Sequence, residues 1–136
     1  MTDAIVGGCL CAAVRYRASG PISDPCFCHC RSCRRASGAP AVAWITVPRD
    51  AFAFTAGEPQ RYRSSIHVVR TFCGRCGTAL TYEHDRRAGA IDLTTASLDD
   101  PERFPPLDHV WASQALGWML HDDDGLPRHE RFRPNA

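Results

Sequence analysis

The sequence predicts a mainly β fold: one compact, antiparallel β-sheet domain with little helix. Three observations carry that prediction. A chain of 136 residues suits a single core. Its apolar residues fall in short runs of β-branched or aromatic type, and turn-forming residues separate those runs. In chain order the runs are residues 12–16, 41–47, 51–55, 66–72, 79–83 and 90–95. Between them lie Ser19-Gly20-Pro21, Ser37-Gly38-Ala39-Pro40, Ala56-Gly57-Glu58-Pro59 and Arg86-Arg87-Ala88-Gly89.

Helix is expected only in short pieces. One spans residues 30–37, after a cysteine cluster. The other is a turn over residues 99–104, where Asp99-Asp100-Pro101-Glu102 has the acidic and proline character of a helix start. From Pro105 onward the chain is rich in Pro, His, Asp and isolated Trp without a clear period, and it reads as a wrap-around segment ending in a polar stretch from Arg128.

Composition narrows the class of function. Charged residues make up 23% of the chain and the net charge is +1, so the overall balance calls for neither nucleic acid nor an anionic membrane as partner. The sixteen basic residues are all Arg, which reads as a bias of composition rather than a binding surface. No run approaches the roughly 18 consecutive apolar residues of a membrane span. Met1-Thr2-Asp3-Ala4-Ile5 lacks the basic and hydrophobic regions of a secretory signal. The expected location is therefore cytoplasmic. Thiols stay reduced there, so eight cysteines point to metal rather than to disulfides.

The cysteines form three groups: Cys9 and Cys11 as C-x-C, Cys26, Cys28, Cys30 and Cys33 as C-x-C-x-C-x-x-C, and Cys73 and Cys76 as C-x-x-C. In Phe72-Cys73-Gly74-Arg75-Cys76-Gly77 the glycines permit a turn that aims two thiolates at one ion, the form of a zinc knuckle. Structural zinc takes four ligands, so this pair needs a second pair, and Cys9 and Cys11 are the natural source. That site would be closed and would staple distant parts of the sheet.

Three thiolates from Cys28, Cys30 and Cys33 leave a fourth zinc position open, as a catalytic zinc requires. Three thiolates also weaken the metal as an acidifier of water and suit it to holding an incoming thiol as thiolate, which favours sulfur chemistry. Cys26 has two readings: a spare reduced thiol, or a fourth ligand that closes this site. Arg31, Arg34 and Arg35 lie beside the cluster, either to offset its charge or grip a carboxylate, or simply as solvated side chains.

The other candidates are weaker. His29 lies between two proposed ligands, and strand alternation points its side chain away from the metal. His109, in Asp108-His109-Val110-Trp111, is a candidate to line a pocket or assist proton transfer. Trp44, Trp111 and Trp118 read as core or pocket-wall residues, since no basic stripe interleaves them. No Ser, His and Asp arrangement and no phosphate-cradling glycine loop is compelling.

These motifs carry a resemblance. Gly7-Gly8-Cys9-Leu10-Cys11-Ala12-Ala13-Val14-Arg15-Tyr16, Cys28-His29-Cys30-Arg31-Ser32-Cys33-Arg34-Arg35 and Phe72-Cys73-Gly74-Arg75-Cys76-Gly77-Thr78 together resemble the glutathione-dependent formaldehyde-activating (GFA) family, which includes the centromere protein V (CENP-V) domain. The similarity continues through Ala96-Ser97-Leu98-Asp99-Asp100-Pro101 and Asp108-His109-Val110-Trp111, so it covers residues 5–121 and leaves 122–136 as a C-terminal tail.

The resemblance implies a β-tent-like fold with two zinc ions per chain: a structural one on Cys9, Cys11, Cys73 and Cys76, and a catalytic one on Cys28, Cys30 and Cys33. It implies carbon–sulfur lyase chemistry, in which glutathione or a similar small thiol combines with formaldehyde or another aldehyde. The sequence departs from the family at Ala12, where glycine is usual, and at the extra Cys26. The competing expectation is a zinc-stabilised binding module without turnover. Three protein sulfurs plus an exchangeable ligand at the middle site would favour the enzyme, and four protein sulfurs the module.

Overall fold

The computed structural model describes residues 4–120 and 124–134. Among these, the strands are β1 (Ile5–Gly8), β2 (Arg15–Ala18), β3 (Ser23–Cys28), β4 (Val42–Pro48), β5 (Phe52–Ala56), β6 (Gln60–Ser65), β7 (Val68–Phe72), β8 (Ala79–His84), β9 (Ala90–Thr94) and β10 (Asp108–Val110). One α-helix, α1 (Arg31–Ser37), interrupts them.

The strands form two sheets. A three-stranded sheet has the order β1-β2-β5, and a seven-stranded sheet the order β10-β3-β4-β9-β8-β7-β6. Pairing is antiparallel throughout except between β3 and β10, which run parallel. Mainly β architecture with one short helix is what the sequence predicts. The parallel pair arises because a long connection separates β3 from β10, whereas hairpin turns impose antiparallel pairing.

The period of two along β4 divides its side chains between two apolar clusters. Ile45 and Val47 join Leu80, Ile91 and Leu93 against Ile5, Tyr16, Ala18 and Phe52 of the smaller sheet. Burial of each such aliphatic side chain contributes about 1.5–3 kcal/mol, so this interface between the sheets is the main store of stability. Val42 and Trp44 pack instead with Cys26, Cys28, Cys33 and Val110, and α1 lies on that side.

The helix is bounded by its own caps. Cys30 sits at the N-cap with φ −62° and ψ 149°, and its sulfur accepts from the Cys33 amide. Gly38, at φ 71°, ends the helix by donating its amide to the Arg34 carbonyl at 2.7 Å.

The expected strand over residues 12–16 is displaced to β2, because residues 9–14 are occupied by a loop. Cys9 N donates to Val14 O at 3.1 Å and Ala12 N to Cys9 O at 3.0 Å, closing that loop over the first cysteine pair. The expected turn over residues 99–104 is a 3₁₀ turn at Pro101–Arg103. Residues 124–134 run beside β10: His109 N donates to Pro127 O, His129 N to His109 O, and Trp111 N to Arg131 O, at 2.8 to 2.9 Å. The short edge strand is thus covered. No helix among the described residues is long and apolar enough to cross a membrane.

Candidate metal centre

Two hairpin loops, one from each sheet, build the first cysteine group. The β1–β2 loop carries Cys9 and Cys11, and the β7–β8 loop carries Cys73 and Cys76; their four sulfurs lie within 4.8 Å of one another. Cys11 Sγ is 3.6 Å from Cys9 Sγ and 3.8 Å from Cys73 Sγ. Four sulfurs at about 2.3 Å from a tetrahedral zinc would stand roughly 3.8 Å apart, so the group fits that ion.

Backbone amides point at these sulfurs. Val14 N donates to Cys9 Sγ at 3.2 Å, and Arg75 N and Cys76 N both donate to Cys73 Sγ at 3.4 Å. Such donors favour thiolate over thiol. The Thr78 hydroxyl, 3.3 Å from Cys76 Sγ, and the Thr78 amide after it bring the Cys76 thiol down to about 5.

Cys28, Cys30 and Cys33 form the second group, their sulfurs also within 4.8 Å of one another. Cys28 ends β3, Cys30 caps α1 and Cys33 lies in its first turn, so the strand-to-helix transition gathers all three. Cys28 and Cys33 are buried and Cys30 is partly exposed. The Cys33 amide donates to Cys30 Sγ at 3.3 Å. Hydrogen bonds from Cys28, and then Cys33, pull the Cys30 thiol well below its ordinary value, while sharing with Cys30 pushes Cys28 up. These shared hydrogen bonds couple the three thiols, so charge on any one of them is felt by all.

The cation facing this charge is Arg70, which the sequence reading did not single out. Its Nη1 and Nη2 each lie 3.6 Å from Cys33 Sγ. Its Nε donates to Ser64 Oγ at 3.1 Å, and its guanidinium lies over the Tyr82 ring, 5.0 Å from the centroid. Tyr82 is its cross-strand partner on β8. The available signal was an arginine at an inward position of the apolar run Val68–Phe72. By contrast Arg31 and Arg35 are exposed, and Arg34 Nε donates to the His29 carbonyl at 3.3 Å.

Cys26 is buried on the same face of β3 as Cys28 but lies outside the three-sulfur group. Burial pushes its thiol up to about 11, against the opposing pull of the Arg133 guanidinium. The His29 ring is fully buried and turns to His109, with 2.9 Å between His29 Nε2 and His109 Nδ1. Trp44 is buried, Trp111 packs against Arg131 and Phe132, and Trp118 is exposed. A cleft of about 660 Å³ opens beside the four-sulfur group, with Arg15, Ser37, Thr78 and Asp99 on its walls, and does not include the second group.

The model of the family described as "Glutathione-dependent formaldehyde-activating enzyme" matches residues 4–114. A Halomonas elongata protein provisionally named a glutathione-dependent formaldehyde-activating enzyme is 28% identical over 123 residues, covering 83% of this chain and 78% of that protein. A crystal structure of a Rhodobacter sphaeroides protein superposes with a TM-score of 0.59 at 20% identity, over 90% of this chain and 98% of that one, which is a likeness of fold.

Proposed function

This chain belongs to the glutathione-dependent formaldehyde-activating family, and from that premise we propose that it is a zinc-dependent enzyme of carbon–sulfur lyase type. Its catalytic residues are Cys28, Cys30 and Cys33, its substrates a small thiol such as glutathione and formaldehyde or another aldehyde. Cys9, Cys11, Cys73 and Cys76 hold a second, structural zinc. The observation that carries the reading is a three-sulfur group with one partly exposed member and a buried arginine against it.

Zinc bound by the trio would supply a soft Lewis acid with one coordination position left for a substrate thiolate. The chain's own residues do the rest. Cys28, Cys30 and Cys33 fix the position at which the thiol enters. Arg70 offsets the negative charge that gathers there, from 3.6 Å. Cys26, buried on the same strand but outside the three-sulfur group, leaves that position open. In the addition, the thiol sulfur forms a bond to the aldehyde carbon, the carbonyl π bond breaks, and the thiol proton ends on the new hydroxyl oxygen. The reverse cleaves the same bond, with no change in oxidation state. Reduced thiols and soluble small substrates suit a cytoplasmic setting and require neither nucleic acid nor membrane.

The test is magnetisation-exchange NMR with ¹³C-formaldehyde and glutathione, on protein shown by elemental analysis to carry two zinc ions. Exchange between free aldehyde and S-hydroxymethyl adduct should be faster than in buffer. Cys30→Ser should abolish the acceleration and Cys26→Ser should preserve it. Arg70→Ala should reduce it roughly tenfold or more, since hydrogen bonds to charged groups contribute about 1.5–3 kcal/mol. Exchange no faster than in buffer, with both zinc ions present, would refute the proposal.

A further inference from the structure

A buried chain of side chains leads from the second cysteine group to the end of the protein. His29, whose neighbours on either side are Cys28 and Cys30, places its Nε2 2.9 Å from His109 Nδ1. His109 Nε2 lies 2.7 Å from Asp124 Oδ2. Both rings are buried, whereas Asp124 is half-exposed. An ionised carboxylate only accepts, so His109 donates through Nε2–H; with that ring neutral, its Nδ1 accepts and His29 donates through Nε2–H. The Leu126 amide, and then His109, hold Asp124 below the usual carboxylate range, in keeping with that order.

His29 Nδ1 is then left buried with no hydrogen-bond partner among the described residues. An unsatisfied buried polar atom costs about 1–3 kcal/mol, so the ring is kept in this place at a cost that its bond to His109 must offset. Such local costs concentrate where a site must be kept in one arrangement. The backbone repeats the pattern: His29 N donates to Val110 O at 3.1 Å, and Arg31 N to the Gln114 side chain at 2.8 Å. The segment holding all three sulfurs thus leans on β10 and the turn after it, and β10 is itself clasped by residues 127–131. Phe27 stacks on the His109 ring with centroids 5.4 Å apart, which restrains that ring from the β3 side.

We propose that His109 and Asp124 are positioning residues for the three-sulfur metal site: through His29 they fix the Cys28-His29-Cys30 turn in its ligating arrangement, which makes the C-terminal segment part of that site. The inference rests on the reading that Cys28, Cys30 and Cys33 hold a metal ion. It assigns His109 no contact with substrate, in place of the pocket-lining or proton-transfer role considered from sequence.

The experiment uses protein loaded with cobalt at both sites and follows sulfur-to-cobalt absorption while a chelator removes the metal. His109→Ala should release one of the two ions roughly tenfold faster or more, the usual effect of losing a group that orients a ligand, and should leave the other unchanged. His109→Gln should restore parent-like release, because its amide can accept from His29 and donate to Asp124. Asp124→Ala alters a half-exposed side chain, so the variant should fold, and should accelerate release in the same direction. Parent-like release in Asp124→Ala and in folded His109→Ala would overturn the inference, as would failure of His109→Gln to rescue. Parent protein that binds a single cobalt ion would overturn the underlying metal assignment and this inference with it, a result visible before any variant is made.

Discussion

Ala12 sits in the loop of the first cysteine pair at φ 65°, in the left-handed region that disfavours side chains bearing a Cβ. The family resemblance leads to an expectation of glycine at this position, and the left-handed φ supplies a physical reason for one. The loop cannot relax by rotating Ala12, because Ala12 N is bonded to Cys9 O and the Val14 amide is committed to Cys9 Sγ. The strain is therefore retained in return for the approach of Cys9 and Cys11. Ala12→Gly should raise the melting temperature by a few degrees, corresponding to roughly 1 kcal/mol of relieved strain less the added flexibility of glycine in the unfolded chain. Ala12 is exposed, so no packing is lost. Calorimetry on zinc-loaded protein decides it, and an unchanged or lower melting temperature would mean that the left-handed turn carries no strain.

At the scale of elements, the two cysteine groups differ in what they connect. Cys9 and Cys11 lie between β1 and β2, Cys73 and Cys76 between β7 and β8, so the four-sulfur group ties one sheet to the other across more than sixty residues of chain. Cys28, Cys30 and Cys33 span one strand-to-helix junction, which backbone hydrogen bonds and the caps of α1 already support. Removing a ligand should then have unequal effects. Cys73→Ser should lower the melting temperature by roughly 10 °C or more, because structural zinc contributes directly to folding free energy. Cys30→Ser should lower it by only a few degrees. Paired thermal scans at matched zinc provide the measurement, and equal losses would make both groups structural and favour a binding module over an enzyme.

For the whole molecule, what the sequence revealed depended on how local the determining contacts are. Cysteine spacing is local, so both cysteine groups were legible, and so were β4, β7, β8 and β9, whose branched residues have a buried face to display. β6 was missed because Gln60–Ser65 is exposed along its whole length and has no buried face to mark it. β3 was hidden by Pro25 and by cysteines that read as a motif, and β10 has only three residues. Arg70 meets Cys33, and His29 meets His109, across long separations that no window of sequence contains. The C-terminal segment is the clearest case, since its polar composition serves ion pairs. Arg133 donates to Asp108 at 2.6 and 2.7 Å, and His129 Nε2 lies 3.2 Å from the same carboxylate. Burial is the largest single influence and would raise the carboxyl of Asp108, but the hydrogen bond and charge of Arg133, together with His129, outweigh it and hold the group below its ordinary 3.8. A carboxylate whose folded value is depressed stabilises the fold fully above its unfolded value, and that contribution is lost as pH falls through 3.8 towards the folded value. Asp108→Asn should therefore show a lower urea midpoint than the parent at pH 7, and the gap should close as the pH is taken below 3.8. Every other titrating group is common to the two proteins, so the difference between the two curves isolates the carboxylate. A gap that stays constant from pH 7 to below 3.8 would show that Asp108 acts through packing rather than charge, and that the C-terminal segment is held by its backbone bonds to β10 alone.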